Sequence, residues 1–224
     1  MKKIGALIGA IGVVVALAGC AGGAAPASST PPASGTGSAA SKTIAIVIGA
    51  DALGFVDAAG GKREVGYADS FADALSAVEQ AVGPQTGTSE VPATNHTVAA
   101  TAHEFGALTI SEQHYSGAVD NDVLVAPVWR VSTTAASVAE VKIATSTGIA
   151  VGSAVDDIPG HADADRLDVV TVDGSSSAYI LVEASSGALL VPDGVDTAVG
   201  VLAAAATWPG PITRLSAPTQ FAGA

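Results

Sequence analysis

A single cysteine, Cys20, stands between two stretches of opposite character, and its position limits the fold more than any other residue does. With no second thiol in the chain, nothing downstream can be cross-linked internally, so the folded part must be held by packing alone. Ahead of Cys20 come Met1-Lys2-Lys3, a short positive segment, and an apolar run from Ile4 to Ala16 that gives way to small residues. That order is the pattern of a secretory signal. A retained membrane span is the weaker reading. Even counted to Ala18 the run is shorter than the roughly 20 residues a bilayer requires, and Gly5, Gly9 and Gly12 interrupt it.

Leu17-Ala18-Gly19-Cys20 resembles the lipobox of bacterial lipoproteins. The resemblance implies a diacylglyceryl group on the Cys20 thiol, cleavage between Gly19 and Cys20, and palmitate-type acyl chains holding the mature protein to the extracytoplasmic face of the cell membrane. Two acyl chains suffice for stable attachment. An ordinary signal cut at an A-x-A site is the competing reading of the same residues. The scarcity of Lys and the Ala, Gly, Val and Asp bias are similar to those of actinobacterial proteins.

Ala21 to Ser41 carries no charge and no large apolar side chain. It cannot bury enough surface to offset its ordering entropy, so residues 20–41 are expected to form a flexible tether, with a random-coil reach of about 25 Å. The expected organisation is a signal at 1–19, the tether at 20–41 and a globular part at 42–224. About 180 residues suffice for one domain or for two small tandem α/β units, 42–135 and 136–224.

Composition bears on the core and on the partners. Hydrophobic residues make up 49% of the chain and aromatics only 4%, so the core should be built from small aliphatic side chains. The formal charge is −12, and −14 without Lys2 and Lys3. A chain this acidic is repelled by phosphate backbones and anionic lipid surfaces, which argues against nucleic acid and leaves the lipid as the membrane contact.

The expected fold class is α+β: a mainly antiparallel sheet with one clear helix and one or two short ones. Thr43–Ile48 has the composition and length of a buried strand, Ala52–Val56 continues the extended path, and Arg63–Tyr67 returns after a turn. The helix opens at Asp69 or Ser70 and closes before Gly83-Pro84, with Phe71, Leu75, Val78 and Val82 as its apolar stripe packed on a sheet. Gln85–Asn95 reads as a polar loop. Strands are expected at 97–102, 105–110, 123–131, 138–144, 189–191 and 211–215. A hairpin joins 168–173 to 178–184 through Gly174–Ser177, and Ala162–Leu167 is a candidate short helix. The Ala-rich run 197–206 suits a buried helix or a buried strand equally.

Gly148-Ile149-Ala150-Val151-Gly152-Ser153, followed by an acidic segment, resembles the first-helix opening of the small two-layer BLIP- and BamE-like modules, found in secreted inhibitors and outer-membrane lipoproteins. The resemblance covers about 12 residues and implies a helix pair on an antiparallel sheet.

Chemistry is sparse. Gly174-Ser175-Ser176-Ser177-Ala178 comes within one residue of a nucleophile elbow, but a strand follows it and no histidine follows His161, so it reads as a hairpin turn. His96, His103, His114 and His161 lack metal-ligand spacing, although His96 and His114 would meet if they lay on neighbouring strands. Asp156, Asp157, Asp163, Asp165 and Asp168 lack the Gly and terminal Glu of a calcium loop and read as a solvated face. No metal or cofactor is expected. Trp129, Arg130 and Trp208 are the candidate interaction residues, since Trp and Arg anchor interface centres; packing is the alternative for both indoles.

These residues point to a lipid-anchored extracytoplasmic protein with a non-enzymatic binding or interaction domain for a protein or cell-envelope partner. A small-ligand or solute-binding lipoprotein is the alternative, and a cell-wall hydrolase is a third.

Overall fold

Residues 41–94, 97–115, 127–163, 166–185 and 197–222 are described in the computed structural model. Their elements are β1 (Thr43–Ile48), β2 (Ala52–Asp57), β3 (Lys62–Gly66), α1 (Phe71–Val82), β4 (Gly87–Val91), β5 (Ala99–Phe105), β6 (Leu108–His114), β7 (Trp129–Thr133), β8 (Ser137–Val138), β9 (Val141–Thr145), β10 (Leu167–Val172), β11 (Ser175–Ala184), β12 (Thr197–Ala205) and β13 (Arg214–Ala222). A five-stranded sheet runs β3-β2-β1-β9-β8, with β1 and β9 parallel. An eight-stranded antiparallel sheet runs β10-β11-β12-β13-β7-β6-β5-β4.

The expected α+β class is therefore corrected to a mostly β architecture of two sheets and one α-helix. Three segments account for the difference. Gln85–Asn95, expected as a loop, contains β4, an edge strand whose five residues are mostly exposed and carry no apolar alternation. The ambiguous run 197–206 is β12, with Val201, Ala203 and Ala205 buried. The short helices are absent among the described residues: Val155–Asp157 is a single 3-10 turn, and Leu167 already opens β10. Gly148 to Ser153 forms turns and opens no α-helix, so the helix implied by the BLIP- and BamE-like resemblance does not occur there. The expected strand at 189–191 and most of the one at 123–131 lie outside the described residues.

Inward-facing residues of both sheets form one contiguous core. Ile46, Ile48, Leu53, Phe55 and Ile143 come from the smaller sheet, and Leu108, Ile110, Trp129, Ile180 and Leu215 from the larger. Burying each such side chain contributes roughly 1.5–3 kcal/mol. Helix α1 packs on β1 and β3 through Ala74, Ala77 and Val78, with Phe71, Leu75 and Val82 partly buried beside them. Ser70 occupies its N-cap position without a side-chain bond, and Gly83 ends it. Each sheet draws strands from both sides of residue 135, because β1 pairs with β9 and β7 with β13. Residues 40–224 cluster as one unit. No helix among the described residues is long and apolar enough to cross a membrane.

The sheets are tied by polar bonds as well as by packing. Tyr67, just after β3, and Trp129 in β7 meet edge to face at 4.7 Å between ring centroids. Trp129 Nε1 donates to the Gly66 carbonyl at 3.1 Å, the Tyr67 hydroxyl donates to the Gly49 carbonyl at 3.0 Å, and the Val128 amide donates to the Tyr67 carbonyl at 2.8 Å. Both rings are wholly buried. Ser146 Oγ donates to Glu183 Oε1 at 2.6 Å, and Ser185 bonds Asp51, so two further bonds cross between the sheets.

The hairpin between β10 and β11 turns on two residues, Asp173 at φ 50° and Gly174 at φ 79°, the left-handed pair that a tight primed turn requires. Ser175 to Ser177 thus belong to β11, and Ser176 Oγ shares a 2.8 Å hydrogen bond with Thr171. Gly200 has a different reason for being glycine. A β-bulge near it presses β12 against β11, and a Cβ there would stand 1.8 Å from the Glu183 carbonyl oxygen.

Two expectations follow from this packing. Gly200→Ala should cost roughly 1–3 kcal/mol in urea unfolding, because the obstructing atom is backbone and cannot rotate away. The second concerns Tyr67, whose hydroxyl is pushed well above its ordinary value of 10.0 by burial first and by Glu183 and Asp51 next. Its contribution to stability is whole below about pH 10 and is lost as pH rises through the higher folded value. Alkaline unfolding should therefore steepen above about pH 10, and Tyr67→Phe should remove that steepening. Folded protein in which all three tyrosines ionise together near the ordinary value would contradict this.

Candidate functional site

Strand β7 alternates between two environments. Trp129, Val131 and Thr133 point into the core and are buried, which turns Arg130 and Ser132 to the outer face of the eight-stranded sheet. Its neighbours bring matching residues. Ser111 of β6 lies opposite Arg130, and Ser216 of β13 lies opposite Ser132. Arg214 shares the outward face of β13, since Leu215 between it and Ser216 is buried.

Together these side chains line a groove of about 260 Å³. Thr219 Oγ1 donates to Ser216 Oγ at 3.3 Å within it, and Gln113 Nε2 donates to the Ser111 carbonyl at 3.2 Å. Val91, Val98 and Ala100 supply an apolar wall at the β4 and β5 end. Among the described residues no Asp or Glu lines it, although the chain carries 21 acidic residues against nine basic ones.

Arg130 is held here at a cost. Among the described residues its buried Nε has no hydrogen-bond partner, and neither Arg130 nor Arg214 has an ion pair. Burial lowers the Arg130 guanidinium from its ordinary value, partly offset by Tyr115 nearby, yet an arginine stays charged at neutral pH. Burial conversely raises the Tyr115 phenol, whose hydroxyl donates to the Pro127 carbonyl at 2.9 Å. The groove therefore offers two guanidinium groups and several hydroxyls with no counter-charge among the described residues. Such a set receives anions or acceptor-rich polar groups.

A wider depression of about 590 Å³ lies by β1, β2 and β3, lined in part by Lys42, Asp57, Lys62 and Arg63. Several of its charges are already engaged. Lys42 pairs with Glu140 at 3.6 Å, Asp57 accepts the Ala59 and Gly61 amides at 2.8 Å each, and Arg63 lies 5.1 Å from the Phe55 ring centroid. An exposed pair of this kind contributes little, but it leaves the site less in need of a ligand than the groove is.

Of the three expected interaction residues, Arg130 lies in the groove. Trp129 is wholly buried in the core on the opposite face of the same strand, and Trp208 packs against the core while its amide donates to the Ser176 carbonyl at 2.8 Å. Cys20 and Gly19 lie outside the described residues, as do His96 and Asp165. His103 shares a 2.8 Å bond with Gln85 and stacks near Phe71, His114 bonds Thr101 at 2.8 Å, and His161 bonds the Ile158 carbonyl. No group of three His, Cys, Asp or Glu side chains among the described residues could hold a metal ion. The sequence reading missed Ser111, Ser132, Arg214, Ser216 and Thr219. The available signal was an arginine and a serine alternating with buried apolar residues in a chain short of cations.

An unpaired, half-buried charge should be replaceable with a gain in stability. Arg130→Met is expected to raise the urea-unfolding free energy by up to about 1 kcal/mol. Arg214→Met, at an exposed position, should stay within about 0.5 kcal/mol of the parent. A loss above 1 kcal/mol for Arg130→Met would mean that the guanidinium has a structural partner. Comparison of the chain with protein-family models, with curated proteins and with solved structures found no match.

Proposed function

We propose that this chain is a lipid-anchored extracytoplasmic protein whose two-sheet domain is a non-enzymatic binding domain, with the groove on the outer face of the eight-stranded sheet as its binding site. The observation that carries the binding reading is Arg130, a cation buried at its Nε without a partner among the described residues, in a groove where those residues supply no carboxylate. Burying a polar group without a partner costs stability, and a bound group that completes the charge and hydrogen bonds would offset that cost. The groove is smaller than the roughly 300–1,000 Å³ typical of whole-ligand pockets. It therefore suits one polar group of a small solute or of a cell-envelope component rather than a large apolar ligand.

The anchor rests on the signal pattern and on Leu17-Ala18-Gly19-Cys20. The tether supplies the spacing, and the domain begins at β1. In this arrangement the lipid sets location and the groove sets recognition, so the two can be separated by mutation. Full-length protein with Cys20→Ala should incorporate no fatty-acid label and leave the membrane fraction. Equal membrane retention would overturn the anchor. Ser132→Trp, which places an indole across the groove, should keep the membrane location but lose retention of isolated cell-envelope fractions. Undiminished retention would overturn the groove as the binding site.

A further inference from the structure

We infer that the groove takes a tetrahedral oxyanion, a phosphate monoester or inorganic phosphate, held between Arg130 and Arg214 with the hydroxyls of Ser111, Ser132, Ser216 and Thr219 as further donors. The inference rests on the binding reading above and names the ligand class of the same site.

Three observations support it. The first is the donor set. Arginine presents a fixed fork of N–H groups to an oxyanion, and hydroxyls rotate to donate where needed, so an acceptor with oxygens pointing in several directions uses this set more fully than a planar one. The second is registry. Ser111 is paired with Arg130 and Ser132 with Ser216 across adjacent strands, which puts donors from β6, β7 and β13 on one face of a hydrogen-bonded sheet. A site carried on strands is held more rigidly than one on loops. The third is the charge balance. Among the described residues the groove is lined by two arginines and by no Asp or Glu, in a chain with 21 acidic and nine basic residues.

The acidity of the rest of the chain narrows the ligand further. A polymer of repeated phosphates would run out of the groove over an acidic surface, whereas a single phosphate on a small or neutral carrier needs only the groove itself. The favoured ligand is thus a soluble phosphate or monoester.

The test is calorimetric titration of full-length protein in detergent with inorganic phosphate, against sodium chloride at matched ionic strength and against acetate. NMR of the arginine Nε–H signals serves as a second readout. Phosphate should saturate one site and shift the Arg130 signal, with acetate weaker. Arg130→Met, a variant expected to fold, and Arg214→Met at an exposed position should each weaken phosphate at least tenfold. No heat or shift beyond chloride, an equal response in Arg130→Met, or tighter binding of acetate than of phosphate would each overturn the inference. Competition by phosphatidic acid, whose headgroup is a phosphate monoester, in the same detergent micelles would assign the same oxyanion chemistry to a lipid headgroup, and lack of competition assigns it to a soluble phosphate. Should phosphate fail while Ser132→Trp still abolishes envelope retention, the binding reading stands and only the ligand class falls. Phosphate binding by the parent with undiminished retention by Ser132→Trp would instead place envelope retention outside the groove and overturn the proposed function while leaving the phosphate site.

Discussion

The two sheets depend on the contact between Tyr67 and Trp129. In a chain with four Phe, three Tyr and two Trp, these two rings are the largest side chains in the core, and each donates its polar handle to a backbone carbonyl of the smaller sheet, Gly49 just after β1 or Gly66 at the end of β3. Aromatic residues buried in this way supply apolar area and a directional bond at once. The surrounding residues are mostly Ala, Val, Ile and Leu, which pack densely but set no particular alignment between the sheets. The paired rings supply that alignment, with the Val128 amide closing the link from β7 back to Tyr67.

The same strand that carries Trp129 carries the candidate site. Because side chains alternate along β7, fixing Trp129, Val131 and Thr133 in the core leaves Arg130 and Ser132 no choice of face. A one-residue slip would bury the arginine in the core and expose the tryptophan, so the register of β7 is strongly specified. The outward geometry of the groove is in this sense a by-product of the inward packing. It extends to β6 and β13, where Ile110 and Leu215 are wholly buried beside outward Ser111 and Ser216.

How much of this was legible in the sequence depended on whether a segment carried its own period. Thr43–Ile48, the 71–82 helix and the 168–184 hairpin did: each has a clean apolar run or stripe bounded by turn or cap residues. Strand β4 did not, because a solvated edge strand such as Gly-Thr-Ser-Glu-Val has no buried face to leave a pattern. β12 is rich in Ala and Val, which fit the narrow gap beside its neighbours but have no preference strong enough to separate strand from helix. The groove was illegible for another reason. Its residues stand at 111, 130, 132, 214, 216 and 219, and only the pairing of β13 with β7, strands far apart in the chain, brings them together. Arg130 alone was visible, through its neighbour Trp129; of these two side chains, one faces outward and the other faces the core.

An acidic chain with a cationic groove is a consistent design once distance is considered. Surface charges act through water and salt, where their influence fades over about 8–10 Å. Arg130 acts within a partly desolvated groove, where a short-range bond to an oxyanion is far less screened. The net negative field therefore does not prevent a small anion from binding once it is inside, but it does raise the energy of any extended polyanion that must lie across the surface to reach the groove. Net charge argues against nucleic acid as a partner on the same ground that it permits a single small phosphate. The two conclusions differ only in how much of the ligand's charge must remain outside the groove.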